Sequence, residues 1–151
     1  MTLAFVFPGQ GSQAVGMGQG LAESFPEARA VFDEVDAALG QKLSALMWDG
    51  PADELTLTEN AQPAIMANSL AVMRVLESEF GVSVSAAKFV AGHSLGEYSA
   101  LCAAGALSLS DAARLLKLRG QAMQKAVPVA QGAMAALIGA DLDQAEKAAE
   151  A

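Results

Sequence analysis

Leu3-Ala4-Phe5-Val6-Phe7 is an unbroken apolar run that stops abruptly at Pro8-Gly9-Gln10-Gly11-Ser12-Gln13. A short run without polar alternation predicts a strand buried on both faces of a parallel sheet, and here it is followed by a polar, glycine-rich loop. Phe89-Val90-Ala91 predicts a second such strand, and Gly132 to Gly139 a third. Between the first two the period changes. Val31, Phe32, Val35 and Leu39 recur at helical spacing in a helix opened by Pro26-Glu27 and closed by Gly40. Leu43 to Trp48 is a shorter apolar piece that ends in the turn residues Asp49-Gly50-Pro51.

Asn60 and Pro63 start a long helix with Met66, Leu70, Met73, Leu76 and Phe80 along one side and Gly81 as its terminator. Ser108 with Asp111 three residues on reads as a capping box, opening a helix that runs to about Ala126, before Pro128. Asp141 with Gln144 reads as the cap of a last helix. The order strand, helices, strand, helices, strand, helix predicts an α/β fold with a parallel sheet.

The second strand runs into Gly92-His93-Ser94-Leu95-Gly96, a G-x-S-x-G nucleophile elbow. The turn from strand to helix is tight, so glycines are needed where backbones pass closely, and the serine hydroxyl is pushed out. If Glu97 to Ala104 continues as a helix, its first N–H groups and dipole point at whatever Ser94 attacks. The Pro8–Gln13 loop leaves the carboxyl end of the first strand, where such folds place ligand contacts. It can supply a second N–H of an oxyanion hole beside that of Leu95. A purely structural glycine-flanked turn matches the pentapeptide as well.

On the helix from Ser108, Leu109, Ala112, Ala113, Leu116, Gly120, Met123 and Val127 form one apolar stripe. Arg114, Lys117 and Lys125 lie opposite it, while Arg119 falls beside it, toward the interior. An arginine there needs an anionic partner. Two candidates stand: an internal carboxylate, or the carboxylate of a substrate, which the guanidinium fork suits.

Composition narrows the function classes. The 151 residues are 53% hydrophobic, 5% aromatic and carry a net charge of −8, which fits one domain with a sizeable core and disfavours nucleic acid. No apolar run approaches a membrane span. One cysteine, Cys102, and one histidine, His93, give neither an internal disulfide nor a metal-ligand spacing. Cys102 reads as a small buried hydrophobe. With no charged leader before the first strand, the expected compartment is the cytoplasm.

Phe7-Pro8-Gly9-Gln10-Gly11-Ser12-Gln13 with Gly16-Met17-Gly18, then Gly92-His93-Ser94-Leu95-Gly96-Glu97-Tyr98, then Arg119-Gly120 with Met123, together resemble the malonyl-CoA:acyl carrier protein transacylases of fatty acid synthesis. Gln62-Pro63-Ala64, expected as a loop before the long helix, is also similar to the family. Because Met1 leads directly into the first strand, the likeness is to the free-standing bacterial type. The resemblance implies a ping-pong transfer through a seryl ester, with malonyl-CoA and acyl carrier protein as partners and no cofactor or metal. By it Ser94 is the nucleophile, Gln10 and Leu95 donate oxyanion-hole N–H groups, Arg119 holds the malonyl carboxylate, and His93 lines the site.

The resemblance also implies an α/β-hydrolase-like large subdomain, of which residues 1–127 are the N-terminal part, and a ferredoxin-like small subdomain beginning at 128–151. Members of the family are longer, and the activating histidine belongs to the half expected to follow. Without it, turnover by this chain alone is expected to be poor and apolar sheet faces are expected to be exposed. Arg114, Lys117 and Lys125 are either a basic patch that steers an acidic carrier protein or a solvated helix face. Two other functions share these features: a serine hydrolase or thioesterase of ordinary α/β-hydrolase type, and a non-catalytic module that binds acyl-CoA or carrier protein.

Overall fold

The computed structural model describes residues 2–127 and 137–150. The chain begins with β1 (Ala4–Phe7), and after the glycine-rich loop come α1 (Gln19–Ser24), α2 (Pro26–Leu39), α3 (Leu43–Asp49), α4 (Ala52–Thr56) and α5 (Thr58–Phe80). A single 3-10 turn, Val84–Ala86, leads to β2 (Phe89–Gly92), followed by α6 (Gly96–Ala103), α7 (Leu109–Ala126) and α8 (Leu142–Glu150). The class is α/β, as the pattern predicts. Of the third expected strand, residues 132–136 lie outside the described residues, and 137–139 are not strand.

β1 and β2 pair in parallel, from Ala4 opposite Phe89 to Phe7 opposite Gly92. Both strands therefore end level, and the loops that follow them leave the sheet side by side. The expectation that β1 is buried on both faces needs correction: Val6 is 77% exposed, and on β2 Phe89 is 59% exposed. With two strands among the described residues, the sheet has open faces where a doubly covered one would have none.

The core lies instead among the helices. α5 is the central element, packed against α2, α6 and α7, and Ala64, Ile65, Met66, Ala67, Leu70 and Ala71 are all buried on it. From α2 come Val31, Phe32 and Val35, and from α7 Leu109, Ala112, Ala113 and Leu116, the residues the helical periodicity assigns to the interior. At the ends of the α5 and α7 stripes the assignment fails: Phe80 and Val127 are exposed. Cys102 is half-buried against this core, and burial pushes its thiol pKa up.

The helix boundaries have local causes. Gly40 and Gly81 close α2 and α5 in the left-handed conformation. Ser108 Oγ accepts from the Asp111 N–H at 3.1 Å, and Asp141 Oδ1 accepts from the Gln144 N–H at 2.9 Å, as both predicted caps require. The sequence pattern missed one cap. Buried Asp36 accepts from the Ser44 N–H at 2.9 Å and the Ser44 hydroxyl at 2.7 Å, fixing the start of α3 from α2. α5 also begins earlier than expected, so Gln62-Pro63-Ala64 is not a loop but the buried second turn of the helix. Among the described residues no helix is long and apolar enough to cross a membrane.

Candidate active site

Ser94 sits between β2 and α6 with a backbone φ of 54°, the one residue other than glycine with positive φ among the described residues. This left-handed conformation costs about 1–2 kcal/mol for a residue with a Cβ. The turn is held by backbone bonds from the His93 N–H to Phe7 O (3.2 Å), the Gly96 N–H to His93 O (2.8 Å) and the Glu97 N–H to Ser94 O (3.2 Å). Its flanking glycines are required by space. A Cβ on Gly92 would run into the Gly96 carbonyl, and one on Gly96 would lie 2.8 Å from Pro8 O. The elbow thus closes directly on the first loop, and the serine side chain is left exposed.

The first loop has its own internal order. The Gly11 N–H donates to Gln13 Oε1 at 2.8 Å, the Ser12 hydroxyl donates to Gly9 O at 2.9 Å, and Gln10 Nε2 donates to Thr58 Oγ1 at 3.3 Å. Among the described residues, no acceptor stands against the backbone N–H of Gln10 or of Leu95. The Leu95 side chain is fully buried, which fixes the start of α6 and with it the direction of that N–H. His93 is exposed and its ring lies over Gly9, where a Cβ would collide with Nδ1. No hydrogen bond joins His93 to Ser94 among the described residues, as expected for side chains that diverge at an elbow.

Arg119 reaches this site from α7. Its Nη2 donates to Ser94 Oγ at 3.0 Å, its Nη1 donates to Gln62 Oε1 at 2.6 Å, and its guanidinium carbon lies 5.9 Å from the Tyr98 ring centroid. All three partners are neutral. Among the described residues no carboxylate lies within ion-pair distance of Arg119. Of the two candidates left by the sequence, the internal salt bridge is therefore not formed among the described residues.

Gly120 explains how α7 comes this close. A Cβ there would lie 2.7 Å from both the Glu59 nitrogen and Thr58 O, at the start of α5. The same contact corrects the expectation for Lys117. Rather than facing solvent with Arg114 and Lys125, it is 20% exposed, with Nζ 2.9 Å from Glu59 Oε2 and 2.9 Å from Asn60 Oδ1. Arg114 is also engaged, at 3.3 Å from Asp111 Oδ1. Among the described residues, two of the three expected cations, Arg114 and Lys117, are therefore paired with carboxylates.

A strained, exposed serine at a strand-to-helix turn, the N–H of adjacent Leu95 with no acceptor among the described residues, and a guanidinium on the hydroxyl with no carboxylate partner among them suit transfer of an acidic acyl group. The chain belongs to the acyl transferase domain family, whose model matches residues 4–150. A malonyl CoA-acyl carrier protein transacylase of Bacillus subtilis (strain 168) is 53% identical over 141 residues, covering 93% of this chain and 43% of the relative. The crystal structure of an acyl-carrier-protein-S-malonyltransferase from Bartonella henselae superposes with a TM-score of 0.91 at 62% identity, over 99% of this chain and 48% of that one. A malonyl-transacylase solved in complex with its type II polyketide acyl carrier protein gives 0.78 at 47% identity, over 85% of this chain and 40% of that one. The chain spans less than half the length of these relatives.

Proposed function

We propose that this chain is the N-terminal part of a malonyl-CoA:acyl carrier protein transacylase of fatty acid biosynthesis, acting in the cytoplasm. Ser94 Oγ attacks the thioester carbonyl carbon of malonyl-CoA and gives its proton to a base. The N–H groups of Gln10 and Leu95 receive the oxyanion. Collapse breaks the C–S bond, and coenzyme A leaves as a thiol with the returned proton. The phosphopantetheine thiol of the carrier protein then attacks the seryl ester, the C–O bond breaks, and Ser94 recovers its proton. No cofactor or metal enters these steps.

Arg119 takes the free carboxylate of the malonyl group, and His93 lines the site beside it. His93 does not serve as the base, which this reading takes from the C-terminal half of the same protein. It also takes residues 1–127 as part of an α/β-hydrolase-like large subdomain and 128–151 as the start of a ferredoxin-like small one. The observation that carries the reading is Arg119 beside the nucleophile with no carboxylate partner among the described residues. A guanidinium in that state favours a donor with a free carboxylate over one without.

The test offers labelled malonyl-CoA to the chain, alone and with the C-terminal half supplied, with and without the carrier thiol. Transfer predicts label on the carrier protein. Release of free malonate regardless of carrier would make the protein a hydrolase or thioesterase, and binding without chemistry in either form would make it a binding module.

A further inference from the structure

Gln62 is fully buried on α5, yet both ends of its amide face α7. Oε1 accepts from Arg119 Nη1 at 2.6 Å, and Nε2 donates to Met123 Sδ at 3.3 Å, one helical turn further on. Against a guanidinium only the oxygen can accept, so the amide orientation is settled by its partners. Arg119 is thereby held along one edge by a neutral, immobile acceptor. Its other nitrogen, Nη2, meets Ser94 Oγ at 3.0 Å.

We infer that Gln62 is a positioning residue for acyl selection: it anchors Nη1 of Arg119 so that Nη2 can exchange the Ser94 hydroxyl for the carboxylate of an incoming acyl group. The inference rests on the proposed function and deepens it. In the empty site Nη2 occupies a lone pair of the nucleophile, which lowers the electron density the hydroxyl can offer. A carboxylate draws the guanidinium off that oxygen, because a charge-assisted bond outweighs a neutral one. An acyl group without a carboxylate leaves the nucleophile covered.

The chemistry of the anchor matters. A buried carboxylate at position 62 would hold Arg119 in place but neutralise it, whereas an amide holds it and leaves the charge for the ligand. A shorter or apolar side chain would release the edge and let the guanidinium swing.

The test compares the affinities of the chain for malonyl-CoA and acetyl-CoA by calorimetry, with Gln62→Met and Gln62→Glu beside the unmodified protein and thermal unfolding as a check on folding. Loss of a charge-assisted bond corresponds to about a tenfold effect or more, so both variants are expected to lose about tenfold of the malonyl-over-acetyl preference while acetyl-CoA affinity stays within about twofold. Gln62→Glu is close to isosteric and keeps the test open if Gln62→Met does not fold. Parallel loss of affinity for both donors, or an unchanged preference in a folded variant, overturns the inference alone. No preference for malonyl-CoA in the unmodified protein overturns the proposed function together with it.

Discussion

Lys117 Nζ lies 2.9 Å from Glu59 Oε2, joining the middle of α7 to the first turn of α5. The Gln121 amide also donates to that carboxylate, at 3.2 Å, and Gln124 Oε1 accepts from the Glu59 backbone N–H at 2.9 Å. One acidic residue thus bonds to three positions of α7 about a turn apart, Lys117 before Arg119 and Gln121 and Gln124 after it. The clamp sets the register at which the guanidinium meets Ser94.

That clamp predicts an acid sensitivity. The bond from Lys117 holds the Glu59 pKa below the ordinary glutamate range. A lowered folded-state pKa adds stability that is complete above the unfolded-state value and is lost as the pH falls through the folded one. The stability of the native chain to urea should weaken with falling pH across the carboxylate range, and Lys117→Met should flatten that dependence while costing, after solvent screening, about 0.5–1 kcal/mol near neutrality. An identical acid slope in the variant would show that the Lys117–Glu59 pair does not stabilise the fold.

Gly120→Ala should separate α7 from α5. The added Cβ would press on the Glu59 backbone, which belongs to a helix and cannot turn aside as a side chain can. Overpacking of this kind costs about 1–3 kcal/mol, read as a lowered unfolding midpoint. The same variant should weaken malonyl-CoA binding.

Ser94 stores backbone strain, and two substitutions separate strain from chemistry. Both Ser94→Ala and Ser94→Gly remove the hydroxyl, but only glycine relieves the left-handed conformation. After allowance for the extra freedom of glycine in the unfolded chain, Ser94→Gly should be the more stable by roughly 0.5–1 kcal/mol. Equal stability, measured by denaturant unfolding, would argue that the elbow carries no strain.

Asp36→Ala should loosen the start of α3. It removes the acceptor for both the Ser44 N–H and the Ser44 hydroxyl, so a loss of about 1–2 kcal/mol is expected from the missing cap, with no change in acyl-donor preference.

What the sequence made legible were features written locally. The Gly92–Gly96 elbow, the Ser108 and Asp141 caps and the Gly40 and Gly81 stops each depend on residues within a few positions of one another, and each forms as expected. Helical spacing places Arg119 toward the interior, and it is half-buried there. Its partners were not legible, because Gln62 belongs to another helix whose early turns carry Asn60 and Gln62 on a buried face and break the apolar period.

Lys117 failed for a related reason. A helical wheel shows which side of α7 is polar, but not that the start of α5 covers that side. α1 and α4 are too short and too polar to register as periodic, and the β1 run signals burial without naming what would cover Val6. Gln62 was detectable as part of a family motif, while its contact with Arg119 needed the three-dimensional arrangement.

In the proposed reaction Ser94 takes the malonyl group and Arg119 chooses it. Peptide-mapped mass spectrometry after incubation with malonyl-CoA or acetyl-CoA, with the C-terminal half supplied, tests both parts at once. The expected result is a malonyl ester on the Ser94 peptide, absent in Ser94→Ala, and a shift toward acetyl labelling in Arg119→Ala. A malonyl adduct on any other residue, no adduct at all, or an unchanged donor preference in Arg119→Ala would contradict it.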